Sequence, residues 1–422
     1  MRYAATLALA VLAAAGCDLF NNALQVETPS SIPASELETP GNAQLLVSGA
    51  IADFECAAGA YAVMSGLITD ELIDATQTAD RYPYELRIMQ SSDRRYAVNS
   101  CTGLGVYSPL QTARFSAENA LSLLNGWTDA QVPDRITLIA TTAAYKGYSL
   151  VMLGEGFCTT VVSTLDADRR IVYGGEISRD SAFRLAVAAF GDAIAQAQAS
   201  GATDILSMAR LGRARAYLDL GQPALAKADA QLVDPAYRKD VTASAITTRR
   251  YNRVWQENSA TSVTGDNTSL DSVYRAMADP RVPFSDKARS SVTGIHLYQQ
   301  LKYTSSAAPI RLASGDEARL IIAEADIAAG DFVGADTIIS NFRARGGQGA
   351  IISADSATVA DSLFDQRRRE FFLEGQHLFD LVRFHKTPNP PEGTTYQGGG
   401  TYGSHLCLPL PDVEKQNNPN FP

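Results

Sequence analysis

Two windows of this chain carry the same helix–turn–helix spacing, and that repetition constrains the fold more than any other feature. Ser207 to Val233 reads SMARLGRARAYLDLGQPALAKADAQLV, and Asp316 to Arg345 reads DEARLIIAEADIAAGDFVGADTIISNFRAR. In both, apolar residues recur at three and four, the period of an amphipathic helix. Aligning Gly330 with Gly221 superposes Ala323 on Ala214 and Ala335 on Ala226. Each window therefore predicts a helix, a glycine turn and a second helix, with small residues where the two axes approach.

The pattern resembles a tetratricopeptide repeat, whose period is about 34 residues. A further copy of the first helix lies at Ile139 to Glu155, with Gly147 and Gly154 in the equivalent places, and its partner is displaced to Ser181–Ala199. Asn42 to Ala52 and Gln111 to Asn125 also read as helical. Two stretches break the pattern: Asp80 to Tyr107, and the long polar, aromatic-bearing run from Pro235 to Ile310. Loops of that length inside a compact domain are uncommon unless functional, and irregular surface on a rigid scaffold is where binding residues concentrate. The expected architecture is mainly all-α, a tetratricopeptide-like scaffold in a single domain over 41–422. Its helical parts fall at about 41–79, 108–234 and 314–385. Irregular insertions at 80–107 and 235–313 form the ligand-binding face, and 386–422 closes the chain.

Charge removes one class of function. With 46 acidic and 36 basic side chains the net charge is -10, the wrong sign for a nucleic-acid partner. The 45% hydrophobic content is too high for intrinsic disorder. The first residues, MRYAATLALAVLAAAGC, have one early cation and an apolar run too short to span a membrane, the layout of a secretory signal. Gly16-Cys17 resembles a bacterial lipobox, with Ala14 where such boxes usually carry Leu. That resemblance implies a signal peptide over 1–16, a lipidated (palmitate-bearing) Cys17 and a polar tether over 17–40. No later stretch is expected to span a membrane, so the chain would be anchored to one rather than cross it. Cys56, Cys101, Cys158 and Cys407 remain, enough for two disulfides in any of three pairings. Without a C-x-x-C, neither zinc nor thioredoxin chemistry is expected.

The C-terminal block is more specific. Gln366 to Phe384 reads QRRREFFLEGQHLFDLVRF. It predicts one amphipathic helix, with Phe371, Leu378 and Val382 on a face and Arg367 to Arg369 and Arg383 paired to Glu370, Glu374 and Asp380 at helical spacing. The block resembles the hallmark helix of the SusD/RagB family. The chain's ending, Leu408-Pro409-Leu410-Pro411, Glu414 and Asn418-Pro419-Asn420, is similar to that family's terminal element. The resemblance implies a surface-exposed outer-membrane lipoprotein that caps a SusC-like TonB-dependent transporter. Such a protein captures oligosaccharides, or peptides in some members, without catalysis and without a cofactor or metal.

Sugar recognition needs flat amphipathic rings and planar hydrogen-bonding groups. The irregular segments supply Arg81, Tyr82, Tyr84, Tyr96 and Asn99 early, and Tyr251, Asn252 and Trp255 later, with Tyr107, Tyr274 and Tyr298 nearby. Trp127 follows a helix and reads as structural. A glycoside hydrolase, the competing class, needs two carboxylates about 5 to 10 Å apart. Pairs such as Asp70-Glu71 arise by chance among 46 acids, and no hydrolase or zinc-protease motif is present.

Overall fold

The computed structural model describes residues 34–259, 268–269, 272–351 and 355–421. The leader, Cys17 and most of the tether lie outside these. The tether's described end is folded onto the body. Glu38 accepts two hydrogen bonds from Arg169, both at 2.8 Å, and a third from Asn119.

Helices dominate. They are α1 (Ala43–Ile68), α2 (Tyr107–Gly126), α3 (Arg135–Gly156), α4 (Arg179–Ser200), α5 (Thr203–Asp219) and α6 (Pro223–Ala230). After the second irregular stretch come α7 (Arg253–Ser259), α8 (Gly315–Ala329), α9 (Phe332–Arg345), α10 (Ser356–Glu370), α11 (His377–Arg383) and α12 (Asp412–Asn417). Their starts are dictated locally. Ser178, Ser314, Asp331 and Asp355 each accept a backbone N–H of the first turn, on α4, α8, α9 and α10, and Pro223 opens α6, where a missing N–H costs nothing.

The two sequence windows fold as the pairs α5–α6 and α8–α9, and the turn glycines Gly221 and Gly330 sit at φ +67° and +80°. Only glycine adopts that conformation without strain. The displaced partner is real too: α3 packs on α4 across an insertion of two small antiparallel sheets. These pair β2 (Thr159–Val161) with β5 (Glu176–Ser178), and β3 (Thr164–Leu165) with β4 (Ile171–Val172).

Among the described residues, two helices match membrane-span length and apolarity, contrary to the expectation that no later stretch would. These are Pro40–Ile68, which contains α1, and α3, and 83% and 78% of their apolar windows are buried. A helix apolar on every side also suits the interior of a large core. Both contribute to the main hydrophobic cluster, which continues through α4, α5 and α8. Trp127 packs on a satellite cluster around Val47 and Leu124.

The hallmark block departs from a single helix. α10 ends at Glu370, and α11 starts at His377. Between them Leu373 and Gly375 take φ +58° and +88°. Tertiary partners occupy the groups that a continuous helix would bond internally. Lys302 Nζ donates to Phe372 O at 2.7 Å, Tyr303 Oη to Leu373 O at 3.2 Å, and Leu373 N to Glu71 at 2.7 Å. The ion pairs are correspondingly long-range. Arg367 makes a bidentate pair with Asp380 across the break, at 2.9 Å twice. Glu370 and Glu374 hold Arg311, and Arg369 reaches Asp279. Of the helical-spacing pairs expected within the block, Arg383 with Asp380 forms.

Candidate ligand-binding site

The early irregular segment leaves the end of α1 through β1 (Ile73–Asp74). The buried Asp74 carboxylate organises the turn, accepting the N–H groups of Thr76 and Thr78 at 2.9 Å each and the Arg81 guanidinium at 3.4 Å. One helical turn follows at Tyr82–Glu85. The Cys56–Cys101 disulfide ties the far end of the segment back to α1. Cys158–Cys407 ties the start of the β2 insertion to the C-terminal run, where Leu408 exchanges backbone bonds with Gly156 and Cys158 at 2.8 and 2.9 Å.

The later segment is built by Asn252. Its side chain accepts Trp255 N at 2.9 Å, opening α7, and donates to Ala308 O at 2.9 Å. Two links then join segments far apart in sequence. Arg81 pairs with Glu257 of α7 at 3.0 Å, and Arg253 donates to Cys101 O. Strand β1 also pairs with β6 (Thr268–Ser269), while Thr293 donates to Ala75 O from the turn between β7 (Phe284–Ser290) and β8 (His296–Gln300). The two irregular segments therefore meet along one seam.

The seam sorts the expected residues. Tyr251 and Trp255 are half-buried and set edge to face at 6.3 Å. Tyr82 is half-buried, and Asn99 is exposed. Tyr298 carries the Arg275 guanidinium 4.0 Å above its ring and His296 at 4.8 Å. A cleft of about 490 Å³, lined by Tyr82, Pro83, Ile88, Gln90 and Arg94 among others, opens on the outer side of the early segment.

Tyr84, Tyr96, Tyr274 and Asn252 are instead interior, at 2%, 0%, 0% and 1% exposure. Tyr84 donates to Leu104 O and Tyr96 to Pro409 O, so each phenol completes a buried backbone group. Tyr274 stacks on Phe372. Arg81 is 8% exposed, and its charge is spent on Asp74 and Glu257. Behind Tyr82, burial pushes the Glu85 carboxyl up to about 7, although Tyr402 Oη and Asp74 N each donate to it at 2.7 Å. Glu71 is likewise raised to about 7 by burial. Both acids are interior, at 2% and 0% exposure. Of the histidines near the C-terminus, His377 is buried against Asp70 at 2.8 Å, and His385 and His405 are exposed. Glu257 and Arg275 had no sequence signal, because an isolated charge on a short helix does not announce which distant segment it faces.

A family model described as the SusD family matches residues 228–418. The fold is similar over nearly its whole length to a SusD superfamily protein from Parabacteroides distasonis. That likeness has a TM-score of 0.69 and 12% identity, covering 93% of this chain and 99% of that one. The chain has a SusD-like fold, and its residues 228–418 match the SusD family. Other SusD-like structures agree. One from Bacteroides vulgatus, described as a SusD-like carbohydrate binding protein, gives a TM-score of 0.64 at 13% identity, over 91% of this chain and 97% of that one. One described as a laminarin binding SusD-like protein gives 0.65 at 15% identity, over 90% and 99%. No curated protein matches the chain. The SusD-family match takes in the later irregular segment, the α8–α9 pair, the broken hallmark block and the terminal Leu-Pro-Leu-Pro run. The preceding SusD-like half carries the early segment on fold likeness alone.

Proposed function

We propose that this SusD-like protein is a non-catalytic binding protein that captures oligosaccharides at the cell surface and passes them to a SusC-like TonB-dependent transporter. It would be held to the outer membrane by lipid on Cys17. The observation that carries the reading is the seam. Two irregular segments converge on a helical scaffold, the early one tied to α1 by a disulfide and to the later one by Arg81–Glu257, and expose rings beside planar polar groups. A rigid face of that composition suits pyranose rings. The likeness to a structure described as laminarin binding supports the choice of glycan. The two acids raised to about 7 are interior, which supports a binding role over hydrolysis.

The test is a glycan and peptide array probed with the mature chain, followed by titration of any hit. Trp255→Ala and Tyr82→Ala are expected to weaken glycan binding about tenfold, or roughly 1.4 kcal/mol. Unchanged affinity in both would move the site elsewhere, and binding to peptides alone would favour the peptide-capturing alternative. Oligosaccharide turnover by the purified protein would overturn the non-catalytic assignment. Cys17→Ala is expected to release the protein from membranes, and full retention there would overturn the lipid anchor.

A further inference from the structure

A second cleft, of about 440 Å³, lies between α2, the β2 insertion and α12. Its floor is Arg114, only 3% exposed. That guanidinium donates from Nε to Gln111 Oε1 at 3.0 Å and from Nη1 to Ser163 O at 2.8 Å. It forms no ion pair with the described residues; Glu118, one turn further along α2, pairs with Lys146. Its Nη2 has no hydrogen-bond partner among the described residues. The Arg114 side chain lines the cleft, so this donor is available to a ligand acceptor there. Phe115 lines the same cleft, its ring centroid 5.7 Å from the Arg114 guanidinium carbon. Asn99 and Glu414 stand on the walls.

These walls are covalently braced. Asn99 is two residues from Cys101, and Val161 three from Cys158, the cysteines of the two disulfides. A braced cleft loses little order on binding. One cation and one carboxylate leave its charge balanced, which suits a neutral ligand rather than an anion.

We propose that this cleft is a second sugar site, where a neutral hydroxyl-bearing ring lies on Phe115, accepts from Arg114 and Asn99, and donates to Glu414. The proposal rests on the glycan reading above but places binding away from Trp255. Its test uses the mature chain with oligosaccharides of laminarin, amylose and xylan, read by titration and by backbone hydrogen exchange over 108–116. Thr112→Trp fills the cleft, Phe115→Ala removes its ring, and Tyr251→Ala probes the seam alone.

The expected result is glycan-dependent protection over 108–116, kept in Tyr251→Ala and lost in Thr112→Trp. Phe115→Ala should weaken binding at least fivefold. If a glycan binds and only the seam variant responds, the cleft proposal falls while the function stands. Protection that persists in Thr112→Trp also overturns it. If none of the three glycans binds the parent protein, the cleft proposal and the glycan reading fall together.

Discussion

At the scale of single residues, the helix crossings depend on missing side chains. A Cβ on Gly147 would come within 2.6 Å of the Phe190 ring, one on Gly212 within 2.3 Å, and one on Gly154 within 2.4 Å of Phe183. The sequence repeat marks Gly147 and Gly154 but does not say which aromatic fills the space. Gly147→Ala should cost about 1–3 kcal/mol by overpacking, seen as a lower urea midpoint with glycan affinity unchanged. Glu71 makes a different demand. A carboxyl raised from 4.5 to about 7 by burial holds its proton better when folded, so stability falls as pH rises across that window. The full effect is about 3 kcal/mol. Glu71→Gln stays neutral, so its stability relative to the parent should improve by up to about 3 kcal/mol between about pH 5 and pH 8. Equal pH profiles for the two proteins would rule this out. The aromatic candidates show where residue-level reading stops. Tyr84, Tyr96 and Tyr251 look alike in sequence because a tyrosine suits a wet surface and a buried carbonyl equally well.

At the scale of elements, the helical pairs were legible because their signal is local: apolar period, small residues at the crossing and a glycine turn. The hallmark block misleads for the opposite reason. Every residue from Gln366 to Phe384 is compatible with one helix, yet Lys302, Tyr303 and Glu71, from distant segments, take over the backbone groups at Phe372 and Leu373. Gly375 then adopts φ +88° against Tyr61, whose ring a Cβ would meet at 3.1 Å. Gly375→Ala should cost about 1–3 kcal/mol from left-handed strain, measured by thermal unfolding. Asp380 is the electrostatic centre of the broken block, bonded to both Arg367 and Arg383. Asp380→Asn would leave the buried Arg367 with only Glu324, 3.9 Å away, as a counter-charge, a loss of about 3–5 kcal/mol, read in the same assay.

At the scale of the whole molecule, the C-terminal run is a clamp. Leu408 adds to the end of α3, Pro409 receives Tyr96, and Asn418 donates to Gly174 O at 2.8 Å. Cys158–Cys407 spans 249 residues, so closing that loop restricts the unfolded chain strongly. Replacing both cysteines with serine should cost up to about 5 kcal/mol, seen as a urea midpoint that no longer responds to reductant at this pair. Composition and local spacing alone determined that the chain is a helical-pair scaffold with two long insertions and four cysteines fit for two bridges, because these features are written in local periodicity and residue counts. Tertiary structure decided the cysteine pairing, the break in the hallmark block, and which rings and polar groups face solvent. Each of those choices is made by contacts between residues tens to hundreds of positions apart, where burial and hydrogen-bond satisfaction, not local propensity, select the outcome.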